Sequence, residues 1–213
     1  MKTDHLVKMM GTNLRAIDAH EPPRMILISA GLGALIALAM MMLFLGIRTD
    51  LSAPPTWIFL AVKYAFAGAN IGVSLANLTR IARPGGERRV SVALGLVVFA
   101  VAFVVAIVSL AFAPASDWKA MIIGEYWLLC LACIPLNAIV PFAAIVWAMR
   151  EFAPTNLRLA GAMAGRAAGG ISACVYALHC TDDSLPFIAV WYGLTIVLCA
   201  VLGGIAGPRL LRW

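Results

Sequence analysis

The chain has 213 residues, of which 63% are hydrophobic and only 12% are charged, and its mean hydropathy is +0.95. Charged residues make up roughly a quarter of an ordinary soluble domain, so this composition excludes a soluble globular protein. The formal net charge of +6 comes from basic residues that flank apolar segments, so it does not indicate a nucleic-acid-binding surface.

The chain begins with a polar tail over residues 1–24 that contains a short amphipathic helix. Leu6, Met10, Leu14 and Ile17 recur at helical spacing and therefore share one face of that helix. Such a stripe needs an apolar surface to pack against. Two interpretations stay open: the helix lies on the membrane interface, or it binds in a groove of a partner protein.

Six apolar runs of about 20 residues follow, the length that a helix needs to cross a roughly 30 Å hydrocarbon core. The breaks between them contain proline and charge. We therefore expect an all-α fold, a polytopic bundle of six transmembrane helices over residues 25–213. The predicted spans are 25–46, 57–79, 91–113, 122–149, 159–179 and 187–207.

Two spans have features of their own. The first is too long for the apolar core of a signal peptide and lacks a clear cleavage site, so we expect it to be retained. The fourth contains Pro135 and Pro141, which predict a bend.

The distribution of basic residues predicts the orientation in the membrane. With a cytoplasmic N-terminus, twelve of the sixteen lysines and arginines lie inside, whereas only Arg48 and Lys119 lie outside. The positive-inside rule then places both termini in the cytoplasm. The twelve are Lys2, Lys8, Arg15, Arg24, Arg80, Arg83, Arg88, Arg89, Arg150, Arg158, Arg209 and Arg212.

This orientation puts three of the five cysteines toward the oxidising outer face. Cys130 and Cys133 lie early in the fourth span, and Cys180 follows His179 at the end of the fifth, before "TDDS". These thiols either fill space or form a pair, Cys180 with Cys130 or Cys133, that is bridged or capped by a soft metal. A protonated His179 would favour a thiolate. A complete zinc site is not expected, because it requires four well-placed ligands.

Small residues and three charges mark the interior of the bundle. Gly161, Gly165 and Gly169 recur every four residues, so a neighbouring helix can approach the fifth span closely, and we expect that span to be central. Lys63 and Arg166 lie inside spans and either snorkel or form internal ion pairs. On the outer side, the expected partner of Lys63 is Glu125.

The C-terminal residues carry a long motif: "LAGAMAGRAAGGISACVYALHC", a short acidic loop, "PFIAVWYG" and a terminal "GPRLLRW". "APTNLRLAG" leads into the fifth span. This pattern resembles the NrsF family, six-helix inner-membrane proteins of Gram-negative bacteria that act as anti-sigma factors for extracytoplasmic-function sigma factors. The resemblance extends over essentially the whole chain.

The resemblance implies a role for each face of the membrane. The family's outward cysteine pair matches Cys130 and Cys180, and Cys133 is an additional thiol one helical turn from Cys130. The pair would report oxidant or heavy-metal stress while the cytoplasmic parts hold the sigma factor. The resemblance thus implies a multi-pass protein of the bacterial inner membrane, with the sigma factor and membrane lipids as partners, no direct nucleic-acid contact and no cofactor.

Two other functions are compatible with the residues. A membrane thiol oxidoreductase, passing electrons from periplasmic thiols to a quinone, would use Cys130-x-x-Cys133. Such chemistry usually relays between two cysteine pairs, whereas only three cysteines lie near the outer face. A small transporter would show an inverted repeat, which is not apparent. We therefore expect a regulator and not an enzyme.

Overall fold

The computed structural model describes residues 21–50, 54–83, 86, 90–152 and 154–212. Over these residues the protein is all-α, with six long helices and one short one, as the sequence predicts for the long ones. The helices are α1 (Glu21–Phe44), α2 (Pro54–Ile81), α3 (Val92–Phe112), α4 (Trp118–Ile123), α5 (Trp127–Arg150), α6 (Leu157–Tyr176) and α7 (Leu185–Leu210).

Five helical segments are long and apolar enough to cross a membrane, which makes the chain a multi-pass membrane protein. They are Glu21–Phe44, Thr56–Ile81, Val92–Phe112, Trp118–Arg150 and Leu185–Leu210. The fifth predicted span, α6, is not among them. Two arginines and several glycines lower its hydropathy, and its side chains face protein instead of lipid.

Helix α6 is the central helix of the bundle. Fifteen of its twenty residues are buried, and it packs against α7, α2, α5 and α1. Its glycines allow the closest approach, because a Cβ at Gly161 or Gly165 would overlap the backbone carbonyl of Gly203 or Cys199 in α7. The α6–α7 contact therefore brings two backbones together with almost no side chain between them.

Helices α1 and α5 form a second close contact. A Cβ at Gly33 would lie 2.6 Å from the Cα of Pro141, so only glycine fits at that position. Helix α5 continues through both Pro135 and Pro141, so neither proline ends it. The bend predicted for this helix stays a prediction.

Helix α3 lies at the edge of the bundle. Gly95 and Ala106 are its buried residues, and it contacts α2 and the first turns of α7. Large apolar side chains such as Phe112, which is 89% exposed, cover the rest of its surface. Such a surface suits lipid, which replaces water around a membrane helix.

Two elements were not predicted from the sequence. The short helix α4 precedes α5 and ends at Gly124, whose positive φ of 63° favours glycine. Helix α7 contains a π-helical turn at Ile188–Tyr192, and such turns are frequent at functional sites.

Because the helices run up and down, their connections lie at two ends. The acidic end holds the α1–α2, α3–α5 and α6–α7 connections, which are joined by the contacts of Arg48 with Asp183 and of the Tyr126 backbone with Asp182. The basic end holds the α2–α3 and α5–α6 connections, the start of α1 and the end of α7. There Arg150 donates a hydrogen bond to the carbonyl of Leu210. That the basic end faces the cytoplasm stays a prediction from the charge distribution.

Candidate functional site

The acidic end brings the three predicted outer thiols toward one apolar cluster. Cys130 lies in the first turn of α5 and Cys180 follows α6, and both are fully buried. They share this cluster with Tyr176 and Tyr192, while Cys133 is half-buried against it. The elements that position the thiols are therefore the starts of α5 and α7 and the end of α6.

The thiols are neither bridged nor arranged around a metal. All five cysteines are free, and no two of them lie at the distance of a disulfide. In the described part of the chain, no group of three or more histidine, cysteine or acidic side chains is placed to hold a metal ion. A Cys130–Cys180 bridge thus requires movement of α5 against the end of α6.

A compact ion cluster lies beside Cys180. The carboxylate of Asp183 accepts two hydrogen bonds from Arg48, of 2.7 and 3.1 Å, and one of 2.8 Å from the Lys63 ammonium. Arg48 also donates to both carboxylate oxygens of Asp50. Two cations and two carboxylates balance, which allows the Lys63 side chain to be fully buried and that of Arg48 to be 1% exposed.

The same two cations hold the backbone at Cys180. Its carbonyl accepts a hydrogen bond of 3.0 Å from Arg48 and one of 2.9 Å from Lys63. The loop after α1, the first half of α2 and the end of α6 therefore meet at one carbonyl oxygen. Any displacement of Cys180 would disturb the contacts of both cations.

The electrostatics of the cluster follow from these contacts. Burial alone would raise the pKa of Asp183, but the hydrogen bonds from Arg48 and Lys63 outweigh it and hold this pKa below its usual value. The hydrogen bond from Arg48 likewise lowers the pKa of Asp50. Both carboxylates are therefore ionised at neutral pH, as the ion cluster requires.

Burial raises the pKa of the Cys180 thiol, although nearby Lys63 acts in the opposite direction. The expectation that His179 would favour a thiolate is not supported. The His179 ring packs against Tyr126 and Tyr176, and its Nδ1 contacts the carbonyl of Gly46 at 3.2 Å. In this state Cys180 is a protonated, buried thiol, and it needs an opening of the site to react.

The two aspartates of the acidic loop have different tasks. Asp183 completes the ion cluster, whereas Asp182 accepts hydrogen bonds from the backbone N–H groups of Glu125 and Tyr126. Asp182 thereby satisfies donors at the start of α5, where a negative charge is favourable. The neighbouring Ser184 accepts from the Phe187 backbone N–H and so caps the start of α7.

Two phenol groups in the thiol cluster are unsatisfied. Tyr176 and Tyr192 are 1% and 0% exposed, and neither hydroxyl forms a well-aligned hydrogen bond within the described residues, although that of Tyr192 lies close enough to the Cys180 thiol to lower its pKa. An unpaired buried hydroxyl costs about 1–3 kcal/mol. Tyr192 lies in the π turn, next to Trp191, whose indole donates to the carbonyl of Ile122. The cluster around Cys130 and Cys180 is therefore packed but not fully hydrogen-bonded.

Other predicted residues lie elsewhere. The stripe of Leu6, Met10, Leu14 and Ile17 falls outside the described residues. Glu125 was the wrong partner for Lys63, which pairs with Asp183. Arg166 forms no ion pair with a carboxylate within the described chain, since it donates to the Asn70 side chain and the Gly95 carbonyl. Gly161, Gly165 and Gly169 face α7.

Sequence reasoning missed the ion cluster. The sequence marks Arg48 and Lys63 as cations on the outer side and contains an acidic loop, but it does not show that they pair. Charge complementarity was the available signal. The choice among Asp50, Glu125, Asp182 and Asp183 depends on tertiary structure, because Arg48 and Asp183 are 135 residues apart.

The chain was compared with known proteins. It matches the family described as "NrsF: Negative regulator of sigma F" over residues 10–213. It is 33% identical over 214 residues to "Probable anti-sigma-F factor NrsF" of Azospira oryzae, and 32% identical over 218 residues to "Anti-sigma-F factor NrsF" of Caulobacter vibrioides. Each alignment covers all of both chains. No solved structure gives a significant match.

The ion cluster gives a stability prediction. Asp183→Asn keeps the side-chain shape but removes the charge that faces Lys63 and Arg48. Removing one partner of a fully buried ion pair costs about 3–5 kcal/mol, and we expect about 2–3 kcal/mol here because part of Asp183 is exposed. The measurement is the Tm of the purified protein in detergent.

Asp50→Asn is the matched control, since it removes the other carboxylate bound to Arg48. The Asp50 side chain is 45% exposed, so we expect a much smaller loss of Tm. Equal losses of Tm for the two variants would contradict the claim that Asp183 is the main carboxylate of the ion cluster.

The pH dependence of the Tm provides a second test of the ion cluster. Because the folded-state pKa of Asp183 lies below the unfolded value of about 3.9, its stabilisation is complete above that pH and is lost as pH falls through the folded-state pKa. The Tm of the wild type should therefore decrease more between about pH 5 and about pH 3 than that of Asp183→Asn.

Proposed function

Because the chain belongs to the NrsF family of negative regulators of sigma F, we propose that it is a membrane-embedded anti-sigma factor. It sequesters an extracytoplasmic-function sigma factor at the bacterial inner membrane and releases it on oxidant or heavy-metal stress. The observation that carries this proposal is the full-length similarity to two proteins that are both named anti-sigma-F factors. Those names describe regulators, so an oxidoreductase activity is not proposed.

The sigma factor binds on the cytoplasmic side, which is the basic end of the bundle. Both chain termini and the connections rich in arginine belong to this side under the positive-inside rule. The apolar stripe of Leu6, Met10, Leu14 and Ile17 is the proposed contact, in the mode of an amphipathic helix that binds in a groove. The tail precedes α1 in the sequence, and α1 begins at Glu21.

The sensor is the thiol cluster at the acidic end, on the outer side. Cys130 and Cys180 belong to one buried cluster, and the half-buried Cys133 lines a cavity of about 210 Å³ together with Tyr176. This cavity offers a small oxidant or a soft metal ion a route toward the cluster. The unpaired hydroxyls of Tyr176 and Tyr192 favour rearrangement there, since a new conformation can satisfy them.

The ion cluster is the proposed link between the thiols and the tail. Cys180 is fully buried, so bridging or metallating its thiol moves its backbone, and the carbonyl of Cys180 then loses Arg48 and Lys63. Arg48 follows α1, whose 24 residues extend about 36 Å to the opposite end. Two packings of α1 and α2, with the ion cluster closed or open, are the two states that such a switch requires.

Orientation can be tested with reporter fusions. A cytoplasm-active reporter at Trp213 and a periplasm-active reporter inserted between Thr181 and Pro186 should both give signal, because the basic residues divide twelve to two. Exchanging the reporters provides the control and should give no signal at either position. The opposite pattern would reverse the assignment of the two ends.

The tail can be tested by removing its apolar anchors. Changing Leu6, Met10 and Leu14 together to Ser removes about 1.5–3 kcal/mol of burial for each large side chain that is fully buried in the partner. The apparent affinity for the sigma factor, measured by co-purification, should then fall by at least about 100-fold. The protein should still accumulate in the membrane.

Lys8→Ser and Arg15→Ser provide the matched control, because they change the charged side of the same helix. They should weaken sigma-factor capture far less than the triple variant. If the triple variant captures the sigma factor as well as the wild type does, the loops form the contact with the sigma factor and the stripe lies on lipid.

The thiols can be tested by single serine substitutions. Cys180→Ser and Cys130→Ser should each hold the sigma factor in the resting state, because serine fits the volume, but should lose the transcriptional response to oxidant or cadmium. Cys133→Ser should respond almost normally. The measurement is transcription from a sigma-dependent promoter, with immunoblots of membrane protein to confirm accumulation.

Cys199→Ser is the matched control, since Cys199 is also buried but belongs to a different cluster with Ala138 and Ala168. It should keep full inducibility. If both Cys130→Ser and Cys180→Ser respond like the wild type, the cysteines are packing residues and the sensing proposal is wrong.

A further inference from the structure

A large cavity lies between α3 and the C-terminal half of α7, with α6 as its floor. Its volume is about 1040 Å³, at the upper end of the range for small-ligand sites. We call it the α3–α7 groove. Its walls are apolar and include Leu96, Val197, Val201 and Ile205, which are 44–67% exposed.

Three arginines line this groove. Arg158 is the second residue of α6 and Arg209 lies in the last turn of α7, so both are at the basic end, and both are exposed. Neither forms a hydrogen bond or ion pair with the residues that the structure describes. The mouth of the groove therefore carries two positive charges that the described protein does not neutralise.

The third arginine is buried and has no carboxylate partner among the residues that the structure describes. Arg166 is 7% exposed, and its guanidinium donates to the Asn70 side chain and the Gly95 carbonyl and lies 5.3 Å from the Phe99 ring centre. All of these partners are neutral, in contrast to the acidic partners of Arg48 and Lys63. A buried charge without an opposite charge is costly, so an anion nearby would be stabilising.

We propose that the α3–α7 groove binds an anionic phospholipid. The phosphate lies between Arg158 and Arg209, and the acyl chains follow the apolar walls toward the middle of the bundle. Arg166 is eight residues from Arg158, or about 12 Å farther along α6, where it faces the chain side of the lipid and adds positive potential. Basic pockets between membrane helices are typical sites for anionic headgroups.

The walls favour a lipid over other anions. A free phosphate would use the arginines but leave the apolar surface of α3 and α7 without a ligand. An acidic protein segment would place its backbone against side chains at a depth where both helices qualify as membrane spans. A phospholipid matches both parts of the groove, because its charged headgroup can lie at the arginines while its acyl chains lie along the apolar walls.

The proposed lipid has a structural consequence for α3. This helix has few buried residues and contacts the first turns of α7, but the groove separates its start from the last turns of α7. A bound lipid would fill that separation and join α3, α6 and α7 near the basic end. It would thus stabilise the part of the bundle that is closest to the proposed sigma-factor surface.

The test uses the purified full chain and two lipids with matched acyl chains, dioleoyl phosphatidylglycerol and dioleoyl phosphatidylcholine. Native mass spectrometry measures how much of each lipid the protein retains from an equimolar mixture. The wild type should prefer phosphatidylglycerol by roughly 10-fold or more, because two arginines lie at the proposed headgroup position. The variant Arg158→Gln/Arg209→Gln should lose this preference.

Arg212→Gln is the matched charge control, because Arg212 is an exposed arginine at the same end that does not line the groove. It should keep the preference for phosphatidylglycerol. Val201→Trp keeps all three arginines but fills the groove from an exposed position, and it should reduce lipid retention about as much as the double arginine variant. The Tm of each variant in phosphatidylcholine confirms that it is folded.

Three outcomes would overturn the proposal. Equal retention of the two lipids by the wild type would exclude a specific anionic site. Retained preference in the double arginine variant would exclude the groove arginines, and normal retention by Val201→Trp would indicate general attraction to a basic surface. A double variant that keeps its lipid preference but no longer binds the sigma factor would assign these arginines to protein recognition instead.

Discussion

The carboxylate of Asp183 is the interaction on which the acidic end of the molecule depends. Arg48 and Lys63 are almost completely buried beside apolar helices, and an unpaired ion in such surroundings would cost several kcal/mol. Asp183 contacts both, and it belongs to the α6–α7 loop, whereas the cations belong to the α1–α2 loop and to α2. One side chain thus joins the α1–α2 loop and α2 to a loop more than a hundred residues later in the chain.

This dependence also explains why the thiols and the ions cannot be treated as separate features. The carbonyl of Cys180 accepts hydrogen bonds from the same two cations, so the position of the sulfur and the geometry of the ion cluster are set together. A buried sulfur by itself would be only a small apolar group. The Cys180 sulfur, in contrast, belongs to a residue whose carbonyl binds two buried cations. Its position is therefore coupled to every element that those cations contact.

Close packing inside the bundle means that a movement of Cys180 would displace whole helices and would not be taken up by local side-chain changes. Along α6 and α7 the backbones touch at Gly161, Gly165 and Gly203, where a Cβ would overlap the facing carbonyl. Packed interiors are nearly incompressible, and a contact without side chains cannot adjust through rotamer changes. A movement at the end of α6 would therefore displace α6 and α7 together.

Much of the fold followed from hydropathy. The long helices agree with the predicted runs to within a few residues, and the central position of α6 was visible in its glycine spacing, since both depend on local sequence. Helix α6 is less apolar than the other long helices, because a centrally packed helix has little lipid-facing surface, and its prediction as a membrane span stays a prediction. The ion cluster and the partner of Lys63 could not be predicted, because they depend on contacts between residues more than a hundred positions apart.

The cations in the two halves of the molecule have different partners. At the acidic end each buried cation has a carboxylate of the protein within 2.8 Å, so that end is complete without a ligand. In the middle of α6 the buried Arg166 has only neutral partners, and at the basic end Arg158 and Arg209 have none among the described residues. Since a chain that neutralises Arg48 and Lys63 so closely leaves three arginines around one groove unneutralised, the missing charge is best supplied from outside the protein. The membrane that surrounds the bundle is the nearest source of it.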